Sequence, residues 1–245
     1  MCGRSSLTKT EKELEKRFNA SFYSDELTRY NPLPNYNVGP SHMHPVITNQ
    51  DADHFKFMRW GLIPFWAKDE KIGYKMINAR VETVDQKPSF KNALIKRRCI
   101  VPFDGFYEWQ KKEDGSKQPF RIQLLDQEIF SIAGLWEKWI SPEGEDVFSF
   151  TLITQAANKF MKKIHDRMPA ILSKEEERLW LEDGISTSEL LKIIKPFADN
   201  RMKAYVVDPR VGNVRNNDAD LLKPFEVKAP KTDNSQNSNR HTLFD

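Results

Sequence analysis

The sequence predicts an α+β fold, a curved, barrel-like antiparallel sheet with flanking helices. Two observations lead there. Between residues 105 and 150, successive β-rich runs are punctuated by turn formers, the mark of strands joined by hairpins. Two segments with helix-start signals and one short β-rich run come after them, so strands and helices are segregated along the chain. No internal repeat is visible.

Taken in order, residues 9–20 predict a helix, with Leu14 and Phe18 four apart on one face and Thr8 or Thr10 as its cap. Residues 31–40, NPLPNYNVGP, are dense in turn formers and predict a loop. Phe55, Phe57 and Met58 lead as a strand into Arg59-Trp60-Gly61, and residues 98–103 form another apolar run. Phe106-Tyr107-Glu108-Trp109 precedes the hairpin signal Glu113-Asp114-Gly115-Ser116, after which residues 120–125 alternate. Residues 129–139 and 147–154 continue the sheet around Ser141-Pro142-Glu143-Gly144. Ser173, with Glu176 three positions on, announces a helix to residue 181, and residues 186–194 predict a second. Residues 203–207 supply a last short strand. Residues 2–227 are thus expected to form the folded domain, and the polar, aperiodic stretch 228–245 a disordered tail.

The chain has 245 residues, 39% of them hydrophobic and 11% aromatic, which is enough for a substantial core under a well-solvated surface. Lys and Arg number 38 against 35 Asp and Glu, a net charge of +3. So small a bias neither requires nor forbids a nucleic-acid partner, because one local basic groove decides that. The absence of an apolar leader and of any membrane-length apolar run predicts a cytoplasmic protein with no membrane partner. Cys2 and Cys99 cannot make a disulfide framework, and a reducing compartment leaves both thiols free. His42-x-His44 lacks further ligands and the two cysteines lack zinc spacing, so no metal and no cofactor is expected.

The chemistry starts at Met1-Cys2-Gly3-Arg4. A small residue at position two permits removal of Met1, which leaves Cys2 with an α-amine beside a thiol. An α-amine of pKa about 7.7–8.0 condenses with an aldehyde to a Schiff base. The thiolate, its ordinary pKa of about 8.5 expected to fall further near positive charge such as Arg4, then attacks the imine carbon and closes a five-membered thiazolidine, helped by the high effective concentration of a group on the same residue. Other polar positions read blandly on their own. Glu108 between two aromatics falls on the wet face of a strand. His165-Asp166-Arg167 is an ordinary surface ion-pair cluster. Asn78 is a turn residue. Trp60 is core.

Six segments occur in order: Met1-Cys2-Gly3-Arg4, Tyr36-Asn37-Val38-Gly39-Pro40, Arg59-Trp60-Gly61-Leu62-Ile63-Pro64, Ile77-Asn78-Ala79-Arg80-Val81-Glu82-Thr83, Gly105-Phe106-Tyr107-Glu108-Trp109 and His165-Asp166-Arg167-Met168-Pro169. Together they resemble the SOS-response-associated peptidase (SRAP) family of abasic-site processing proteins, over about residues 2 to 225. The resemblance implies the SRAP fold and covalent capture of abasic sites in single-stranded DNA through Cys2. It implies that His165 and Glu108 open the sugar and move protons, that Asn78 holds the sugar or the Cys2 backbone, and that a lyase side activity accompanies capture. Arg80, Arg167 and Arg4 are the candidates for phosphate contacts, since guanidinium donates paired hydrogen bonds. Trp60, Trp66 and Pro40 are candidates for stacking or wedging against bases. Two rival readings remain open. One is a cysteine peptidase that removes Met1, with Cys2 as nucleophile and His165 as base. The other is a non-catalytic single-strand-binding module. Leu243-Phe244 near the end of the tail resembles a sliding-clamp docking peptide, a partner that would place the protein near the nucleoid.

Overall fold

A computed structural model describes residues 2–226. The first third of the chain forms β1 (Ser5–Leu7), α1 (Glu11–Phe18), β2 (Ser21–Phe22), α2 (Ser24–Tyr30), β3 (Asn35–Val38), β4 (Met43–Thr48) and β5 (Asp51–Trp60). The middle carries β6 (Asn78–Arg80), α3 (Pro88–Lys96), β7 (Arg98–Phe103), β8 (Gly105–Lys111), β9 (Lys117–Leu124), β10 (Phe130–Ile140) and β11 (Asp146–Ala156). Then come β12 (Arg167–Pro169), β13 (Ile171–Leu172), α4 (Lys174–Leu181), α5 (Thr187–Ile193) and β14 (Met202–Val206). The fold is α+β, as expected. The tail and its Leu243-Phe244 pair lie outside the described residues.

Local chemistry explains where the helices begin. Thr10, not Thr8, caps α1: its hydroxyl accepts the Glu13 amide, and the Glu13 carboxylate accepts the Thr10 amide at 2.8 Å. Ser173 with Glu176 and Ser186 with Glu189 repeat that reciprocal box at α4 and α5. Thr8 is used elsewhere, donating through its amide and hydroxyl to Asp104 Oδ2 at 2.6 Å.

The barrel is a closed ring of five strands in the order β4, β5, β11, β10, β7. Four of the neighbouring pairs are antiparallel. The fifth, β5 with β11, is parallel and pairs Arg59 with Ser149 and Trp60 with Phe150. The expected barrel-like sheet is thus mainly antiparallel, with one parallel pair at this seam. A chain-distant parallel pair leaves no hairpin signal, so only closure of the ring reveals it. A second, antiparallel sheet runs β14-β9-β8-β1-β3.

The period of two along each strand separates two cores. Val46, Met58, Trp60, Cys99, Val101, Phe103, Phe130, Ile132, Phe150 and Leu152 share one core with Phe106 and Ile122 of the second sheet. Their neighbours Ile47, Phe55, Ile100, Ala133, Leu135 and Ile153 face outward and pack under Leu14, Leu94, Trp180 and Leu190 of the helices. Arg98, 1% exposed, ties two helix ends to the ring, donating to Leu94 O and Ile95 O near the end of α3 and to Trp180 O and Glu182 O near the end of α4.

The predicted loop at 31–40 contains β3. Its turn-forming composition is misleading because Asn35 and Asn37 are buried. Asn37 Nδ2 donates to the carbonyls of Val211, Asn213 and Asn216 at 3.2, 3.1 and 2.8 Å. A polar strand thus finds partners from a loop some 175 residues away.

Gly134 on β10 marks the tightest part of the ring. A Cβ there would lie 2.9 Å from Cys99 Sγ and 3.0 Å from both Thr151 O and Val101 Cγ2. Gly134→Ala should therefore destabilise the fold by about 1–3 kcal/mol through overpacking. This reads out as a lower urea midpoint at unchanged m-value; an unchanged midpoint would show that the ring has slack.

Candidate active site at the N-terminal strand

The chain starts in the middle of a sheet. β1 pairs with β8 through Ser5–Phe106 and Ser6–Gly105, and with β3 through Ser5–Val38. The Tyr107 amide donates to Arg4 O at 2.9 Å, so the β8 ladder continues past β1 toward Cys2. One pair further in that register, Glu108 falls opposite Gly3.

Cys2 is fully buried, and its carbonyl accepts a 2.8 Å hydrogen bond from Asn78 Nδ2. Asn78 therefore binds the Cys2 backbone, one of the two tasks foreseen for it, and is no mere turn residue. Its Oδ1 is buried with no hydrogen-bond partner among the described residues. Glu108 is 4% exposed, so the wet-face reading fails: the face of β8 opposite Tyr107 is itself covered. Burial first, and then the nearby Glu108 carboxylate, push the Cys2 thiol well above its usual pKa, against smaller opposing pulls from the positive N-terminal amine and from a backbone hydrogen bond at Arg4. The thiol is held neutral.

Strand β11 is the platform for the other side of the site. On one flank, β6 runs parallel to it, pairing Asn78 with Leu152 and Arg80 with Thr154. On the other, β12 pairs Arg167 with Ala156. His165 sits just before β12, partly exposed, and Gln110 Nε2 of β8 donates to Lys163 O at 2.7 Å, tying the preceding turn to the second sheet. The Arg167 amide donates to His165 Nδ1 at 3.0 Å. Asp166 Oδ1 lies 2.8 Å from the same nitrogen. A neutral ring that accepts the amide carries its proton on Nε2, whereas a charged ring pairs with Asp166.

The cationic candidates differ in availability. Arg80 is exposed on β6. Arg167 has both terminal nitrogens engaged, by Glu82 at 2.5 and 2.9 Å and by Thr154 O at 2.8 Å. Arg4 is half-buried and donates to Gly212 O at 3.1 Å, which clasps the loop after β14 onto the first strand. Burial lowers its pKa.

Among the aromatic candidates, Trp60 is corrected. It is 1% exposed, stacks on Phe150 and donates to Ile77 O at 3.0 Å, so no base can reach it. Trp66 is 48% exposed on the excursion between β5 and β6, with Phe65 and Tyr74 also exposed. That excursion is cinched where Gly61, at φ +122°, meets Gly73: a Cβ on either would lie 2.7 Å from the other's carbonyl oxygen. Pro40 is half-buried in a turn closed by the His42 amide on Gly39 O, with Ser41 at φ +69°. His44 is spent in the core, its Nε2 donating to Pro102 O at 2.8 Å and its pKa pushed down to about 4 by burial. Among the described residues no cluster of three or more His, Cys, Asp or Glu stands where it could share a metal ion. No helix among them is long and apolar enough to cross a membrane.

Sequence reasoning missed Gln110 and Asn37, which hold the site together. Gln110 lies two positions past Glu108, and Asn37 lies within the Tyr36-Asn37-Val38-Gly39-Pro40 segment, but neither carried a role in the sequence reading.

The chain is similar to known proteins over most of its length. The model of the family described as "SOS response associated peptidase (SRAP)" matches residues 1–214. The chain is 43% identical over 225 residues to the abasic site processing protein YoqW of Bacillus subtilis (strain 168), covering 91% of this chain and 99% of that one. It is 36% identical over 232 residues to the abasic site processing protein HMCES of Gallus gallus, covering 81% and 68%. A crystal structure of a protein from Bacteroides thetaiotaomicron superposes with a TM-score of 0.85 at 32% identity, covering 92% of this chain and all of that one.

The electrostatics at Cys2 make a test. Glu108 opposes thiol ionisation, so Glu108→Gln should lower the pH midpoint for alkylation of Cys2. Peptide mass spectrometry separates Cys2 from Cys99; a midpoint that stays put would remove Glu108 from the neighbourhood of the thiol.

Proposed function

The chain belongs to the SOS response associated peptidase family, and from that membership and the geometry around Cys2 we propose that it captures abasic sites in single-stranded DNA covalently. One observation carries the reading. The second residue of the chain is a buried cysteine whose carbonyl is fixed by Asn78 and whose thiol feels Glu108. Cys2 also packs in the core, and relatives 43% and 42% identical over almost their whole length are named for abasic-site processing.

In this proposal removal of Met1 frees the Cys2 α-amine at the site. The abasic sugar rests mainly as a closed hemiacetal, and His165 exchanges the proton that opens it to the aldehyde. The amine adds to the carbonyl carbon, water leaves, and an imine forms. The thiol then adds to the imine carbon, its proton passing to nitrogen, and the thiazolidine closes. Glu108 receives and returns protons during addition and dehydration. Asn78 Nδ2 keeps the Cys2 backbone still, while its unpartnered Oδ1 accepts from the amine or a sugar hydroxyl. Arg80 is the first choice for a phosphate contact, with Arg4 and Arg167 beside it, and Trp66 and Pro40 meet the flanking bases. Elimination from the imine would give a lyase side reaction. The tail pair Leu243-Phe244 is the proposed contact to a sliding clamp, which would keep the protein at the nucleoid.

The neutral thiol bears on the order of events. A cysteine peptidase needs thiolate, whereas burial and Glu108 here oppose it. Attack by the amine first, with the thiol closing the ring, suits such a site.

Incubation with an abasic single-stranded oligonucleotide should give a heat-stable, gel-shifted adduct that Cys2→Ala abolishes. Acetylating the Cys2 amine should also abolish it; adduct formation by the acetylated protein would sink the ring mechanism. Asn78→Ala should slow the reaction about tenfold, equivalent to about 1.4 kcal/mol of transition-state stabilisation. A rate equal to wild type would leave Asn78 with a structural task only.

A further inference from the structure

We propose that Glu82 is a positioning residue for His165, acting through Arg167. The inference rests on the proposed role of His165 and extends it to a residue outside the reacting groups. Glu82 lies in a single turn, Val81–Thr83, directly after β6. Its carboxylate grips the Arg167 guanidinium at both oxygens, 2.5 and 2.9 Å, and Arg167 Nη2 also donates to Thr154 O at 2.8 Å. Since β6 and β12 flank β11 on opposite sides, this pair is a brace across β11 that joins the strand of Asn78 to the strand that follows His165.

The brace matters because of what the Arg167 backbone does. Its amide donates to His165 Nδ1 at 3.0 Å, which requires a lone pair on Nδ1 and leaves the neutral ring protonated at Nε2. Asp166, whose side chain is 85% exposed, stands 2.8 Å from the same nitrogen and draws a proton onto it instead. Which of the two prevails depends on whether the Arg167 amide is held in line. The strand pairing of Arg167 with Ala156 and the Glu82 grip hold it from the two ends of the residue. The Arg167 pair also keeps Glu82 ionised, holding its pKa below the ordinary carboxylate range. The charged groups on the elements that meet here are Lys162, Lys163 and Asp166 around the ring, Arg167 and Glu82 across β11, Arg80 on β6 and Glu108 on β8. Removing Glu82 loosens the amide and lets Asp166 compete for Nδ1.

The test measures adduct formation at saturating abasic oligonucleotide from pH 5.5 to 8.5, together with affinity for an intact oligonucleotide of the same length. Glu82→Ala should lower the saturated rate about tenfold or more and change the acidic limb of the profile. Glu82→Asp should restore most of the rate, and affinity for intact DNA should hold or tighten. If Glu82→Ala does not fold, Glu82→Gln carries the same test, since it removes the charge and half of the bidentate grip. A wild-type saturated rate and profile would overturn the proposal, as would a change confined to affinity. Nitrogen-15 NMR of the His165 ring gives a readout independent of DNA chemistry. The Nε2-protonated tautomer is expected in wild type, and an increased Nδ1-protonated share in the Glu82 variant. If wild type forms no adduct while the tautomer still shifts, the functional reading fails and the positioning role stands; an unmoved tautomer removes the positioning role whatever the adduct assay gives.

Discussion

The rest of the site depends on one constraint: the first strand is an interior strand. A chain terminus ordinarily frays, because few contacts offset the entropy of ordering it. Here β1 is flanked by β8 on one side and β3 on the other. Asn78 takes the carbonyl of Cys2, and Arg4 clasps the loop at Gly212. Ladder hydrogen bonds on both edges and burial of Ser5, Ser6 and Leu7 make that order worthwhile. Removing Met1 in such a setting would place an α-amine at a defined position, which is what a reaction on the terminus needs.

β11 organises everything opposite. It closes the ring against β5 near its middle, then serves β6 and β12 on its two edges near its end. Asn78, Arg80 and Arg167 thereby come from two sequence-distant segments to adjacent positions on one strand. The second sheet meets this platform through Gln110 and Lys163, and through Asn78 with Cys2. The site is thus a seam between two sheets, and each contributes half of its polar groups.

Burial sets the chemistry at that seam. Glu108 and Cys2 lie out of water within electrostatic reach of one another, so the acid weakens the thiol as an anion. The same acid is well placed to handle protons of a neighbouring amine. Under the proposed capture, this grouping would suit a nitrogen nucleophile with sulfur following, for reasons of location rather than of the identity of either residue.

Much was legible in residue order alone. Reciprocal capping pairs such as Ser173 with Glu176 announce helix starts because the bonds close within four residues, and the hairpins after Tyr107 announce themselves because their turns are equally local. Cys2 was nameable because its chemistry is intrinsic to the residue, and Asn78, Glu108 and His165 because their flanking motifs resemble those of a family. Tertiary structure decided the rest. The parallel closure of β5 on β11 has no local mark. β3 hides in a turn-rich segment because its partners arrive from the loop after β14. Glu108 is buried because a second surface covers its strand, Trp60 is withdrawn from any base by Phe150, and Arg167 is held by Glu82 across a strand that neither belongs to. Interactions that close within a few residues can be read from the chain; those that close across a hundred exist only once the sheets have met.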